Sequence, residues 1–191
     1  MSAALLSENP LISEQDYLAG EQLSEVRHEY VAGVVYAMAG ASDKHNFISH
    51  NIGGMLYLHF RGKTCEPFGS DMKLRMEFGS GTVFYYPDAM VCCDSTDDAT
   101  YFRERPVLIV EILSPKTARV DQREKLLAYQ TLPSLEVYVM IDQDQCRLII
   151  HRRANHWQSE FLTRPDDLLT VPALDWSVPV RDLYERTGLA G

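Results

Sequence analysis

The run Pro106–Leu113, PVLIVEIL, constrains this chain more than any other eight residues, because it is apolar throughout except for one carboxylate, Glu111. A strand with hydrophobic side chains at both odd and even positions points them to both of its faces, so it must lie inside a sheet that is covered above and below. The stretch 82–93 has the same character and is interrupted only near Pro87-Asp88. Two buried strands, each carrying a single acid, are therefore expected at the centre of the fold.

The rest of the chain supplies what must cover them. Ser13, followed three residues later by Asp16, opens a short helix. The β-rich runs 26–31 and 34–38 flank Ala32-Gly33 and read as a hairpin. Ser42 and Asp43 offer a cap for a helix in which Phe47, Ile48, Ile52, Met55, Leu56 and Leu58 recur at helical spacing until Arg61-Gly62. Alternation over 71–78 indicates a half-buried strand, 82–93 one central strand, and Asp121 with Glu124 a further helix start. After Pro133 the pattern becomes a meander of strands. This order favours an α+β (α/β sandwich) fold, one mixed sheet flanked by helices.

Composition narrows the functional classes. A length of 191 residues suits one domain over 1–191, and 46% hydrophobic with 24% charged residues excludes a disordered chain. No apolar run approaches the roughly 20 residues needed to span a bilayer. The start, MSAALLSENP, lacks the basic and long apolar segments of a leader, so a cytoplasmic protein with no membrane partner is expected. Eighteen basic against 27 acidic side chains leave a net charge of −9, which disfavours indiscriminate coating of nucleic acid. A bound divalent cation can still reverse the sign of one groove. Cys65, Cys92, Cys93 and Cys146 show no CxxC spacing, and buried reduced thiols are expected rather than zinc ligands or disulfides. His45 and His50 are five apart, the wrong spacing for two ligands on one helical face.

A carboxylate inside a buried strand must be protonated, paired or metal-bound. If the strands bearing Asp88 and Glu111 pair, the two acids can converge, and all-oxygen ligation of that kind suits magnesium or manganese. The alternative is that each acid sits at a strand end facing water or an arginine, with Arg103, Arg105 and Arg119 as the candidates. Phosphoryl-transfer chemistry also needs a cation near the acids, and Lys125, one turn into the helix after the Glu111 strand, can supply it. A solvated lysine paired with Asp121 is the competing reading.

Pro87-Asp88, then Glu111-Ile112-Leu113-Ser114-Pro115, then Asp121, Lys125 and Tyr129 resemble the Uma-two family of restriction-endonuclease-like proteins, a branch of the PD-(D/E)XK nuclease superfamily. Glu29-Tyr30, His45, Ser70-Asp71-Met72 and Ile141-Asp142 extend the likeness over roughly residues 13–165. The resemblance implies a restriction-endonuclease-like mixed sheet flanked by helices. It also implies Mg²⁺ (or Mn²⁺), hydrolysis of DNA phosphodiester bonds and, by analogy of fold, a homodimer. It assigns Asp88, Glu111, Lys125 and Glu29 as catalytic, with Asp88 and Glu111 on the metal. Asp71, Lys73, His45 and Gln122 are accessory candidates, although a surface-strand Glu29, a locally paired Asp71 and a plain helix-terminal His45 are equally natural. One departure stands out: the superfamily lysine belongs two residues after Glu111, where this chain has Leu113. Lys125 is then its replacement, with Lys73 a second possibility, and the other reading is a catalytically inactive nuclease-fold binding or assembly protein.

Overall fold

The computed structural model describes residues 11–38, 40–79, 81–114 and 121–189, with the side chains of Asp121 and Gln122 outside the description. The N-terminal decapeptide, Pro115, Arg119, the Asp121 cap and the Gln122 side chain thus lie outside the described residues.

Local chemistry explains the first elements. Helix α1, Glu14–Glu21, starts where Ser13 Oγ accepts the Asp16 amide. Strands β1, His28–Val31, and β2, Val34–Ala37, pair antiparallel around Ala32 and Gly33, both at positive φ. That is the conformation a two-residue hairpin turn requires, and Gly33 meets it without strain. Helix α2, Asp43–Phe60, is capped by Ser42 and buries Ile48, Ile52, Leu56 and Phe60. Phe47 and Leu58, placed by periodicity on that face, are exposed.

Among the described residues the strands form two large sheets and a small ribbon, correcting the expectation of one mixed sheet. The first sheet has the order β2-β1-β5-β4-β7, with β4 Lys73–Phe78, β5 Gly81–Tyr85 and β7 Phe102–Arg103. The second has the order β11-β10-β9-β8-β6-β3, with β3 Glu66–Gly69, β6 Ala89–Cys92, β8 Pro106–Leu113, β9 Val137–Asp142, β10 Leu148–Arg152 and β11 Ser159–Leu162. Strand β8 is antiparallel to β6 and parallel to β9, so this sheet is mixed. The ribbon pairs β12, Leu168–Val171, with β13, Trp176–Pro179.

The single strand expected over 82–93 is two strands in two different sheets, β5 and β6. The break falls at Tyr86-Pro87-Asp88, where Pro87 has no N–H to give to a ladder. The chain leaves the first sheet there and enters the second.

Layering follows from which side chains share a core. Tyr17 of α1 packs with Tyr30 and Phe84 on the outer face of the first sheet. Leu74, Met76, Val83 and Tyr85 of the first sheet share a core with Ile109, Leu113, Tyr138 and Met140 of the second. The opposite face of the second sheet, Leu108, Val110, Ile112 and Val139, packs against α2 and the C-terminal ribbon. Both faces of β8 are thus covered, as its composition demands.

The cysteine expectation is overturned. Cys65 and Cys93 form a disulfide, with Cα atoms 4.1 Å apart, while Cys92 is a buried free thiol and Cys146 is half-buried. The cause is β3, which periodicity did not reveal. It pairs with β6 so that Glu66 lies opposite Cys92, which brings the residue before one strand beside the residue after the other.

Candidate active site

Asp88 stands at the crossing between the sheets. The β6–β8 register pairs Ala89 with Val110, and one further step sets Asp88 beside Glu111 at the ends of adjacent strands. Asp88 Oδ2 accepts the Ile112 amide at 2.7 Å, and Oδ1 lies 3.3 Å from His45 Nε2. His45 is held in the first turn of α2, where its amide donates to Ser42 Oγ. Ser42 in turn donates to Gln143 Oε1 at 2.9 Å, and the Gln143 amide donates to Leu113 O. The N-terminus of α2 is therefore fastened to the ends of β8 and β9, and this fixes the imidazole against the acid.

Glu111 is 4% exposed and projects to the core between the sheets, on the same side of β8 as Ile109 and Leu113. Its Oε1 accepts the Tyr129 hydroxyl at 2.7 Å and the Lys125 ammonium at 3.1 Å. Lys125 ends the π-helical turn Asp121–Lys125, which runs into α3, Leu126–Tyr129. π-turns inside helices are frequent at functional sites. Tyr129 lies four residues after Lys125, so both side chains emerge on one face and reach the same carboxylate.

The same ammonium reaches across to the first sheet. Lys125 Nζ is 2.9 Å from Glu29 Oε1 on β1 and 5.1 Å above the Tyr85 ring. Glu29 Oε1 is buried and receives no aligned hydrogen bond, so its contact with Lys125 is an ion pair without directional bonding. Burial pushes the Tyr85 phenol up to about 12, with the Glu29 charge adding to it. Burial likewise raises Tyr129 well above the ordinary phenol range, with the Glu111 charge next in effect. Both phenols are neutral at physiological pH, and Tyr129 stays a donor to Glu111.

Other candidates fall elsewhere. Lys73 belongs to the outer row of the first sheet, with Tyr86 opposite it by extension of the β4–β5 register, and its ammonium contacts the Tyr86 hydroxyl at 3.3 Å. Glu29 and Tyr85 occupy the inner row, so Lys73 does not join Glu111. Burial lowers the Lys73 pKa, the nearby Glu21 charge opposing. Asp71 is on the surface in an ion pair with Arg27 at 3.0 Å. Arg103 contacts backbone carbonyls and lies 3.9 Å from Glu66, and Arg105 pairs with Asp94, so neither covers the site acids. Tyr85, Gln143 and the role of Tyr129 escaped sequence reasoning. Only the spacing of Tyr129 from Lys125 carried a signal.

Asp88, Glu111 and Glu29 offer only oxygen, the donor type a hard divalent cation takes, but the Oε1 atoms of Glu29 and Glu111 are both engaged by the Lys125 ammonium. Among the described residues, no group of three or more histidine, cysteine or acidic side chains is gathered around one metal-sized position.

Two layers of sheet, a helix on each outer face and a Glu29–Glu111–Lys125 cluster between the layers make up a nuclease-type α+β fold. Comparison with known proteins agrees. The family profile described as "Uma2: Putative restriction endonuclease" matches residues 14–181, and the chain belongs to this family. It is 32% identical over 183 residues to the uncharacterized protein slr1290 of Synechocystis sp., covering 95% of this chain and 94% of that one. It is also 32% identical over 136 residues to sll1609 of the same organism, covering 70% and 76%. The crystal structure of a "putative nuclease belonging to DUF820" from Anabaena variabilis superposes with a TM-score of 0.69 at 18% identity, covering 86% of this chain and 93% of that one. No helix among the described residues is long and apolar enough to cross a membrane.

Proposed function

We propose that this chain is a magnesium-dependent endonuclease that hydrolyses DNA phosphodiester bonds, with Asp88 and Glu111 holding Mg²⁺ or Mn²⁺ and Lys125 serving as the catalytic cation. The observation that carries the reading is the Lys125 ammonium on Glu111 at 3.1 Å. It approaches from the same side of β8 as Leu113, so the cation absent from position 113 is supplied to that face by the following helix. When bound, the metal supplies charge neutralisation and a water of lowered pKa.

The remaining roles belong to the chain itself. Tyr129 and Lys125 fix Glu111, and the Ile112 amide and His45 fix Asp88. Lys125 then orients an attacking water or stabilises charge on the phosphate. The net charge of −9 makes DNA approach dependent on these local cations rather than on the whole surface. A homodimer, which would present two such centres to a duplex, and a cytoplasmic location belong to the same proposal.

A second reading, a catalytically inactive nuclease-fold binding or assembly protein, is favoured by one observation: Leu113 is buried in an apolar cluster where the superfamily has its lysine. Cleavage of plasmid and single-stranded DNA with Mg²⁺ or Mn²⁺ separates the two, using wild type, Asp88→Asn, Lys125→Met and Leu113→Lys. The endonuclease reading expects activity in wild type and its loss in Asp88→Asn and Lys125→Met. Equal activity in wild type and Lys125→Met would refute the role of Lys125. Activity in Leu113→Lys alone would establish the inactive form.

A further inference from the structure

The first sheet lines up four side chains from four strands on its inner face. Glu29 of β1 lies opposite Tyr36 of β2 and, one step beyond the Tyr30–Phe84 pairing, opposite Tyr85 of β5, which in turn lies opposite Leu74 of β4. Tyr36, Glu29, Tyr85 and Leu74 thus form one row, in which neighbouring Cβ atoms are roughly 4.5–5.5 Å apart. Exposure falls steeply along it: Tyr36 is 54% exposed, the Glu29 side chain 18%, Tyr85 5% and Leu74 not at all. The Lys125 ammonium sits over the middle of the row, 2.9 Å from Glu29 Oε1 and 5.1 Å from the Tyr85 ring centre. Solvent therefore reaches the Glu29–Lys125 contact from the β2 side, across Tyr36. The next row repeats the gradient, with Val34 42% exposed opposite Val31, which packs against the core between the sheets. Because β2 is the edge strand, Val34 and Tyr36 form a ledge that leads from the sheet edge to the site.

We infer that Tyr36 is the platform on which an unpaired base of single-stranded DNA stacks as its phosphate approaches the site. The inference rests on the nuclease reading and narrows its substrate from DNA to unpaired DNA. Charge is the first reason. With 18 basic against 27 acidic side chains, phosphate contacts alone attract a strand less than they would at a basic surface, so affinity must come from the bases. Stacking on a phenol ring supplies it without regard to net charge, and tolerates any base because every base has a π-face. Access is the second reason. A duplex keeps its base faces stacked on one another and turns its phosphates outward to an acidic surface, whereas a single strand offers a free face to a ring at the mouth of the site. The ring is what stacks, so the Tyr36 hydroxyl is dispensable.

Fluorescence anisotropy of a labelled single-stranded oligonucleotide, in chelator so that nothing is cut, tests this with the full chain as wild type, Tyr36→Ala, Tyr36→Leu, Tyr36→Phe and Tyr36→Trp. Stacking expects Ala and Leu to weaken binding about tenfold and Phe and Trp to stay within about twofold of wild type. A strand of equal length built from abasic sugars should bind wild type about tenfold more weakly and be indifferent to Tyr36→Ala. Wild type should also prefer the single strand to its duplex. Should Tyr36→Ala shift the thermal midpoint, Tyr36→Leu, which keeps apolar bulk without a π-face, decides. No binding of the single strand by wild type, equal binding by Leu and Phe, an equal loss on the abasic strand, or a preference for duplex would overturn the inference. Sedimentation without DNA covers the other occupant of the ledge: a dimer that Tyr36→Ala dissociates would assign Tyr36 to a second copy of the chain and overturn it too. Cleavage with Mg²⁺ is read separately. Wild-type cutting of single strands that Tyr36→Ala matches at limiting substrate removes the role of Tyr36 and leaves the nuclease reading, while base-dependent binding through Tyr36 in a protein that never cuts does the reverse.

Discussion

The backbone amide of Ile112 donates to Asp88 Oδ2 at 2.7 Å, so an acid at the start of one strand terminates the ladder of its neighbour. Asp88 therefore has a structural duty that is separable from any chemistry. Asp88→Ala strips a part-buried amide of its acceptor and is expected to cost about 1–3 kcal/mol. Asp88→Asn keeps an acceptor oxygen and should stay within roughly 1 kcal/mol of wild type while losing metal binding. Urea denaturation of the two variants checks the difference between them. Equal losses would mean that the amide contact contributes nothing.

Tyr129 offers a cleaner deletion, because Tyr129→Phe removes only the hydroxyl that donates to Glu111 at 2.7 Å. Hydrogen bonds to charged groups contribute about 1.5–3 kcal/mol, and a destabilisation of that size is expected from equilibrium unfolding. An unchanged midpoint would show that Glu111 is held without it.

Leu113 and Lys125 address the same face of β8, so the lysine should be transferable. Leu113→Lys alone buries a second ammonium in an apolar cluster and is expected to cost about 3 kcal/mol or more. In the double variant with Lys125→Met the new ammonium can take over Glu111, and the combined loss should be smaller than the sum of the single losses. A double-mutant cycle by denaturation measures this coupling, and strict additivity would refute it.

The Arg75 guanidinium, hydrogen-bonded to Glu14 at 2.7 Å, holds that carboxyl below its ordinary 4.5, with partial burial opposing. A carboxyl depressed in the folded state contributes stability above its unfolded pKa and loses it as the pH falls through the folded value. Glu14→Gln should thus be less stable than wild type at neutral pH, with the gap narrowing below 4.5 and closing near full protonation. Denaturation midpoints across this range give the test. A gap independent of pH would assign the effect to something other than charge.

Cys65 and Cys93 close a loop with a sequence separation of 28. Loop-closure entropy for that length corresponds to roughly 3–4 kcal/mol. Adding a thiol reductant should lower the unfolding midpoint of wild type and leave Cys65→Ser unchanged; identical responses would exclude the crosslink as a source of stability.

Much of the fold was legible because it is encoded locally. Ser13 and Ser42 mark helix starts by side-chain oxygens that accept nearby amides, Ala32-Gly33 marks a hairpin, and the composition of Pro106–Leu113 demands cover on both faces. Strands β3 and β7 were not legible, since four and two residues carry too little periodicity. The disulfide went unseen with β3, which aligns its cysteines. Pro87 was visible as an interruption, but apolar residues on either side of it look the same whether they enter one sheet or two.

For the site, the sequence by itself determined the chemical inventory: an acid after Pro87, an acid within PVLIVEIL, no lysine at position 113, and Lys125 with Tyr129 four residues on. These are properties of residue type and spacing, which fix what a strand or helix turn can present. Only the tertiary structure decided which groups meet. It brought Glu29 from the first sheet to Lys125, set His45 against Asp88, and placed Lys73 on the far face of its sheet. The physical reason is that a long side chain reaches several positions with little difference in local energy, so its partner is chosen by packing. Here two sheets close on a shared apolar core, and the buried charges left between them must find one another.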